Sequence, residues 1–126
     1  MRIFAAVVLT ALALPGASLA VGDATRGETL FSECAACHTM EPDPKMLGPH
    51  LKAIIGRKAG GLDDYVYSPP MRRSTVVWTA ETLDAFLVDP QAVIPGAKMP
   101  FAGMPTAQDR EDLITYLAGY AGQKAP

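Results

Sequence analysis

Two cysteines and a histidine fall within five residues, Cys34-Ala35-Ala36-Cys37-His38, and the chain has no other cysteine. Two thiols three positions apart, followed at once by an imidazole, suit four kinds of chemistry. A thioredoxin-like dithiol would follow a strand in a βαβ pattern, and no such pattern surrounds residue 34. A zinc site needs four ligands. Adjacent Cys37 and His38 reach one ion awkwardly, and His50 is the only further histidine or thiol. A disulfide between thiols this close would close a trivial loop and add little stability. What remains is c-type haem attachment, whose signature is C-x-x-C-H. Two cysteines at the end of a helix can each form a thioether to one vinyl group of the macrocycle. The next residue then lies under the iron, where a neutral imidazole is a good axial ligand. Cys34 and Cys37 are therefore expected as tethers and His38 as the proximal ligand.

Such an iron has a second axial position, either filled or open. The candidates are His50 and the methionines, among which Met99 and Met104 share the stretch IPGAKMPFAGMP. Pro95, Pro100 and Pro105 stiffen that stretch, so a thioether on it is held with little ordering cost. Buried methionines mostly fill cores, but Met99 sits among proline and glycine and not on a helical stripe. Spacing alone leaves His50 open as well.

Helices with loops between them have to position these groups. Gly27, Leu30, Phe31 and Cys34 fall at three- and four-residue steps, which predicts a helix over 24–37. A short helix is expected from His50 to Ile55, stopped by Gly56. Ser68 is placed to cap another, with Pro69 in its first turn. Thr79 caps a clearer one, with Leu83, Phe86 and Leu87 as its apolar stripe and Pro90 ending it. The last begins at Thr106, with Asp109 three residues on in the manner of a capping box, and carries Leu113, Ile114, Tyr116, Leu117 and Tyr120. No alternating pattern lasts long enough to build a sheet. The expected class is all-α with much loop. Helices so few and short bury little apolar surface, so something else is expected at the centre.

The first twenty residues read differently. Arg2, an apolar run from Ile3 to Leu14, the Pro15-Gly16 break, and Ser18 and Ala20 before Val21 have the layout of a secretory signal peptide. The apolar run breaks short of the ~20 residues of a spanning helix. Residues 1–20 are expected as a cleaved signal and 21–126 as one domain. Arg2 is the only charge in the signal, so ten basic and thirteen acidic residues remain, a formal −3. With no basic run and no interleaving of basic and aromatic residues, nucleic-acid binding is set aside.

Beyond single motifs, GDATRGETLFSECAACHTME, LGPHLKAIIGRKAG, YVYSPPM, VVWTAETLDAFLVDPQAVIPGAKMPFAGM and REDLITYLAGY resemble, in order and separation, the class I cytochromes c. The likeness is to small exported bacterial members and to the mitochondrial type, and it covers nearly all of residues 21–126. It implies the cytochrome c fold, with N- and C-terminal helices crossing and short helices and loops wrapped around one covalent haem. It implies Met99, not Met104, as the distal ligand, and Gly27 and Phe31 crossing Leu113 and Tyr116. It implies that the Pro49 carbonyl accepts the His38 imidazole N–H, and that Arg57, Tyr67 and Trp78 surround the haem propionates. Three positions depart from the family. Phe86 stands where many members have tyrosine, Ala97 where many have threonine, and Met71 where mitochondrial members have asparagine.

Histidine and methionine together fill both axial positions and suit reversible one-electron transfer. The resemblance therefore implies a soluble, monomeric, periplasmic carrier and not an enzyme. Its partners would be redox proteins: a quinol-oxidising complex or dehydrogenase on one side, a terminal oxidase or reductase on the other. The rival is a haem subunit of a periplasmic enzyme, or a haem whose weak sixth ligand lets it bind small molecules or reduce peroxide. Basic members ring the haem edge with lysines. Here Lys45 and Lys98 remain, Glu33 precedes the first tether, and Met104-Pro105-Thr106 replaces a lysine-bearing stretch. Thioethers survive loss of the fold, so the denatured mature protein should keep its haem. The double substitution Cys34→Ala, Cys37→Ala should abolish covalent haem. Mass spectrometry of a matured sample that returned the bare polypeptide mass would refute the attachment.

Overall fold

A computed structural model describes residues 22–122, so the segment read as a signal lies outside the described residues. The first helix, α1 (Ala24–Phe31), starts at Asp23, whose carboxylate accepts from the backbone N–H groups of Thr25 and Arg26. It stops six residues before the sequence pattern does. Beyond Phe31 the chain tightens into turns, with Cys34 N–H bonded to Phe31 O at 2.8 Å and Cys37 N–H to Cys34 O at 3.0 Å. The apolar spacing continues through these turns, which is why the pattern overran the helix.

The short helix expected over 50–55 is absent; these residues form turns. The carbonyls that would accept its hydrogen bonds are already taken. The Arg57 guanidinium donates to His50 O at 2.8 Å and also to Lys52 O, and Ala53 adopts a positive φ of 54°. A side chain has displaced the helical ladder.

The remaining helices follow the sequence closely. α2 (Pro69–Arg73) is capped by Ser68, whose hydroxyl accepts from Met71 N–H. α3 (Ala80–Val88) is capped by Thr79 in a reciprocal box with Thr82, and Leu83, Phe86 and Leu87 are buried along it. Pro90 does end α3, but it also opens a further turn, α4 (Pro90–Val93). There the Asp89 carboxylate accepts from Gln91 and Ala92 N–H, and a proline costs nothing at the first position. α5 (Ala107–Gly122) begins one residue after Thr106. Among the described residues the only β pairing is an isolated antiparallel bridge between Lys58 and Val77. The class is all-α.

α1 crosses α5, and α3 packs on both α4 and α5. At the crossing a Cβ on Gly27 would lie 2.0 Å from Asp112 O, so only glycine permits the approach. Phe31 and Tyr116 close the contact with ring centroids 5.6 Å apart. The crossing also holds a polar knot that the sequence pattern did not reveal. Asp112 is 1% exposed. Its carboxylate accepts from Asp23 N–H at 2.7 Å, from the Arg26 guanidinium, and from the Gln108 amide at 2.9 Å. Asp109, expected as the capping-box partner of Thr106, is paired with Arg26. A buried carboxylate is tolerated only when its lone pairs are met, and here three donors from two helices meet them.

The Asp23 N–H foremost, then Arg26 and Gln108, hold the Asp112 carboxyl below its ordinary 3.8. A group whose pKa is depressed on folding adds stability above its unfolded pKa, and that stability fades as pH falls through the folded value. Asp112→Asn keeps an acceptor and loses the charge. The wild type should therefore melt higher than this variant near about pH 6, with the gap narrowing below about pH 4. A gap that ignored pH would show that the carboxylate charge contributes nothing.

Candidate functional site

The turns after α1 bring Cys34, Cys37 and His38 to the wall of a cavity of about 490 Å³. Both thiols are free and half-buried. Burial foremost, with the Glu33 and Cys37 charges, pushes the Cys34 thiol above its ordinary pKa. The His38 ring is fixed from behind. Its Nδ1 lies 2.7 Å from Pro49 O, and a carbonyl can only accept, so Nδ1 carries the proton and Nε2 keeps its lone pair. Burial lowers the His38 pKa and outweighs the opposing Pro49 contact, which favours the neutral ring a metal requires.

Gly48 makes this packing possible, and the sequence reading missed it. A Cβ there would stand 2.7 Å from His38 Cε1, while Gly48 N–H bonds to Cys37 O at 2.8 Å. The loop thus lies flat against the imidazole. A glycine beside a proline signals a turn, and nothing in that signal says what the turn touches.

Every site residue expected from the sequence reaches this cavity. Cys34, Cys37, His38, Pro49, Arg57, Tyr67, Trp78 and Met99 all line it, and His50 and Met104 do not. Met104 is 6% exposed within the core, its N–H bonded to Leu87 O at 2.7 Å. Met71 is a second methionine on the wall, together with Leu83, Phe86 and Leu117. Trp78 is buried with its ring edge-on to Phe86 at 4.9 Å, and its indole N–H donates to no group among the described hydrogen bonds. Arg57 is half-buried and burial lowers its pKa, while burial raises that of Tyr67. Its guanidinium is committed to backbone carbonyls, so it holds the 50–57 loop as well as facing the cavity.

Two free thiols, one imidazole with its metal-facing nitrogen bare, thioether sulfur and a largely apolar wall form a donor set that fits a covalently bound haem. An indole, a phenol and a guanidinium on the same wall fit its carboxylates. The fold and site define a c-type haem protein. Comparison with known proteins agrees. The profile of the cytochrome c family matches residues 24–120. The chain is 40% identical over 119 residues to cytochrome c2 of Rhodomicrobium vannielii, covering 94% of this chain and 95% of that one. It is 38% identical over 116 residues to cytochrome c2 of Blastochloris viridis, covering 91% and 89%. The solved structure of cytochrome cH from Methylobacterium extorquens superposes with a TM-score of 0.72 at 40% identity, over 76% of this chain and 97% of that one. The chain belongs to the cytochrome c family, in its class I form, and carries one covalent c-type haem with its iron.

Proposed function

We propose that this cytochrome is a soluble, monomeric one-electron carrier of the periplasm, exported with residues 1–20 removed. It shuttles between a quinol-oxidising complex or dehydrogenase and a terminal oxidase or reductase. The observation that carries the reading is the convergence of Cys34, Cys37, His38 and Met99 on one cavity wall. Among the described residues no helix is long and apolar enough to cross a membrane.

When bound, the haem supplies a reversible one-electron couple at iron. The chain's part is to hold and tune it. Cys34 and Cys37 tether the macrocycle, and His38, oriented by Pro49, offers Nε2. Met99 offers a soft sulfur that favours the reduced state. Trp78, Tyr67 and Arg57, on the same wall, would supply the propionates with donors and positive charge. His38 and Met99 would together hold the iron and leave no vacancy for a substrate, which favours a carrier over an enzyme. The Phe86 and Ala97 side chains bring no hydroxyl to the sulfur, so Met99 ligation is where the alternative of an open, ligand-binding haem would enter. The ferric spectrum decides between them. A low-spin spectrum with a methionine–iron charge-transfer band supports the carrier, and a high-spin spectrum overturns it. Met99→Ala should abolish the band and lower the potential, while Met104→Ala and Met71→Ala should spare both.

The rim bears on docking. Leu47 and Val66 are 76% and 71% exposed, and Leu47 lines the cavity. The charged residues on the wall are Glu33, Arg57 and Lys98. Arg57 is turned to backbone carbonyls, and the Lys98 ammonium donates to Val66 O at 2.5 Å and lies over the Tyr65 ring. Two positive charges stand against one negative on this wall, and residues 21–126 carry a formal −3, so little net charge is left to steer a partner and contact at this edge is mainly apolar. Association with the physiological partner should lie near about 10⁵–10⁶ M⁻¹s⁻¹ and change little with salt. A steep fall of the electron-transfer rate with ionic strength would show that steering persists.

A further inference from the structure

We propose that Gln91 is a positioning residue for the thioether ligand, clamping the loop that carries it with both ends of one side-chain amide. The proposal rests on Met99 being that ligand. Gln91 Oε1 accepts from Gly96 N–H at 2.9 Å, and Gln91 Nε2 donates to Ala97 O at 2.9 Å. A backbone N–H can only donate and a carbonyl can only accept, so the partners themselves fix which end of the amide is which. The two bonds close a ring across the turn between α4 and the ligand loop.

The clamp has a firm root. Gln91 stands in the first turn of α4, where its own N–H bonds to the Asp89 carboxylate at 3.1 Å beside the buried Pro90. The loop it grips is tightly packed. Gly96 has a φ of +88°, and a Cβ there would lie 2.8 Å from Pro70 Cγ. Ala97 is 8% exposed and brings no polar side chain of its own, so its carbonyl relies on a partner from outside the loop.

What the clamp controls follows from peptide planarity. The Ala97 carbonyl and the Lys98 nitrogen share one rigid plane. Gripping that oxygen fixes the direction in which the chain leaves for Lys98 and Met99. Downstream, the next anchor to another element through the backbone is Met104 N–H on Leu87 O at 2.7 Å. Between them the described backbone bond is Phe101 N–H to Met99 O at 2.9 Å, within the loop itself. Lys98 adds a side-chain tie to Val66 O. Met99 therefore hangs between an upstream clamp two residues away and a downstream anchor five residues away. Releasing the clamp lengthens the free span and makes it easier for the sulfur to leave the iron.

The test uses the haem-loaded full protein in its ferric state, with imidazole as an external competitor for the methionine's place. Opening the loop is the step imidazole needs, so its apparent affinity reports how firmly the loop is held. Gln91→Ala and Gln91→Leu should each bind imidazole about tenfold more tightly than wild type, equivalent to about 1.4 kcal/mol. Each should also show a weakened methionine–iron band. Gln108→Ala, which loosens the distant α1–α5 crossing, should lower the melting temperature and leave imidazole affinity unchanged. Wild-type affinity in Gln91→Ala would overturn the clamp. So would wild-type affinity in Gln91→Leu alone, since bulk rather than the amide would then hold the loop. Met99→Ala is run alongside. If it keeps the band, the ligand assignment itself fails. If it loses the band while Gln91→Ala behaves as wild type, only the clamp fails.

Discussion

A cavity of about 490 Å³ at the centre of a domain this size is the constraint on which the other features depend. Interiors are packed like organic crystals, and a void lined by Leu83, Phe86 and Leu117 leaves those side chains without contacts on one face. Among the described residues only α5 exceeds nine residues, and helices so short bury little apolar surface of their own. The haem is therefore as much core as cofactor. Its covalent attachment makes that part of the core permanent, and the loops that line the cavity then have a fixed object to pack against.

Where helices are few, side chains do the work that backbone ladders do elsewhere. The Arg57 guanidinium replaces a helical turn over residues 50–55 by taking the His50 and Lys52 carbonyls. Arg110 holds the end of the distal loop, donating to Met104 O at 2.8 Å and Pro105 O at 3.0 Å while paired with Asp84 on α3. Gln91 serves the start of the same loop. Each of these residues has a planar head with several donors or acceptors in fixed directions, so each can satisfy two backbone groups at once. Backbone groups that no ladder satisfies still need partners when they approach the interior.

This division explains what could be read from the sequence. Features set by local chemistry were legible: the capped starts at Ser68 and Thr79, the stripe Leu83, Phe86 and Leu87, the stripe on α5, and the C-x-x-C-H motif. Features set by contacts between distant residues were not. The spacing of Gly27, Leu30, Phe31 and Cys34 overran α1 because a series of tight turns keeps nearly the same periodicity. The helix expected after His50 failed because its acceptors were claimed by a residue seven positions away. No local signal singles out Asp112 among the charges of α5, and only the crossing with α1 makes it a buried acceptor. The resemblance to a family supplied what spacing could not, naming Met99, Pro49, Arg57, Tyr67 and Trp78, all of which line the cavity.

A carrier works best when its surroundings change little as the iron gains or loses an electron, since any rearrangement adds to the barrier. On the His38 side the polypeptide meets that demand before the metal is considered. The ring is backed by Gly48, its Nδ1 proton is given to Pro49 O, and burial keeps it neutral, so neither its tilt nor its tautomer is left free. On the Met99 side, prolines limit the backbone and hydrogen bonds from Gln91, Lys98 and Arg110 tie the loop to α4, to the segment at Val66 and to α5. None of these ties acts on the thioether itself. The His38 and Met99 sides are thus held by different means. A carbonyl orients the histidine directly, whereas the methionine is held through the loop that carries it. The second arrangement is the softer, and with Met99 as the proposed ligand it is there that the stability of the iron's ligation would be set.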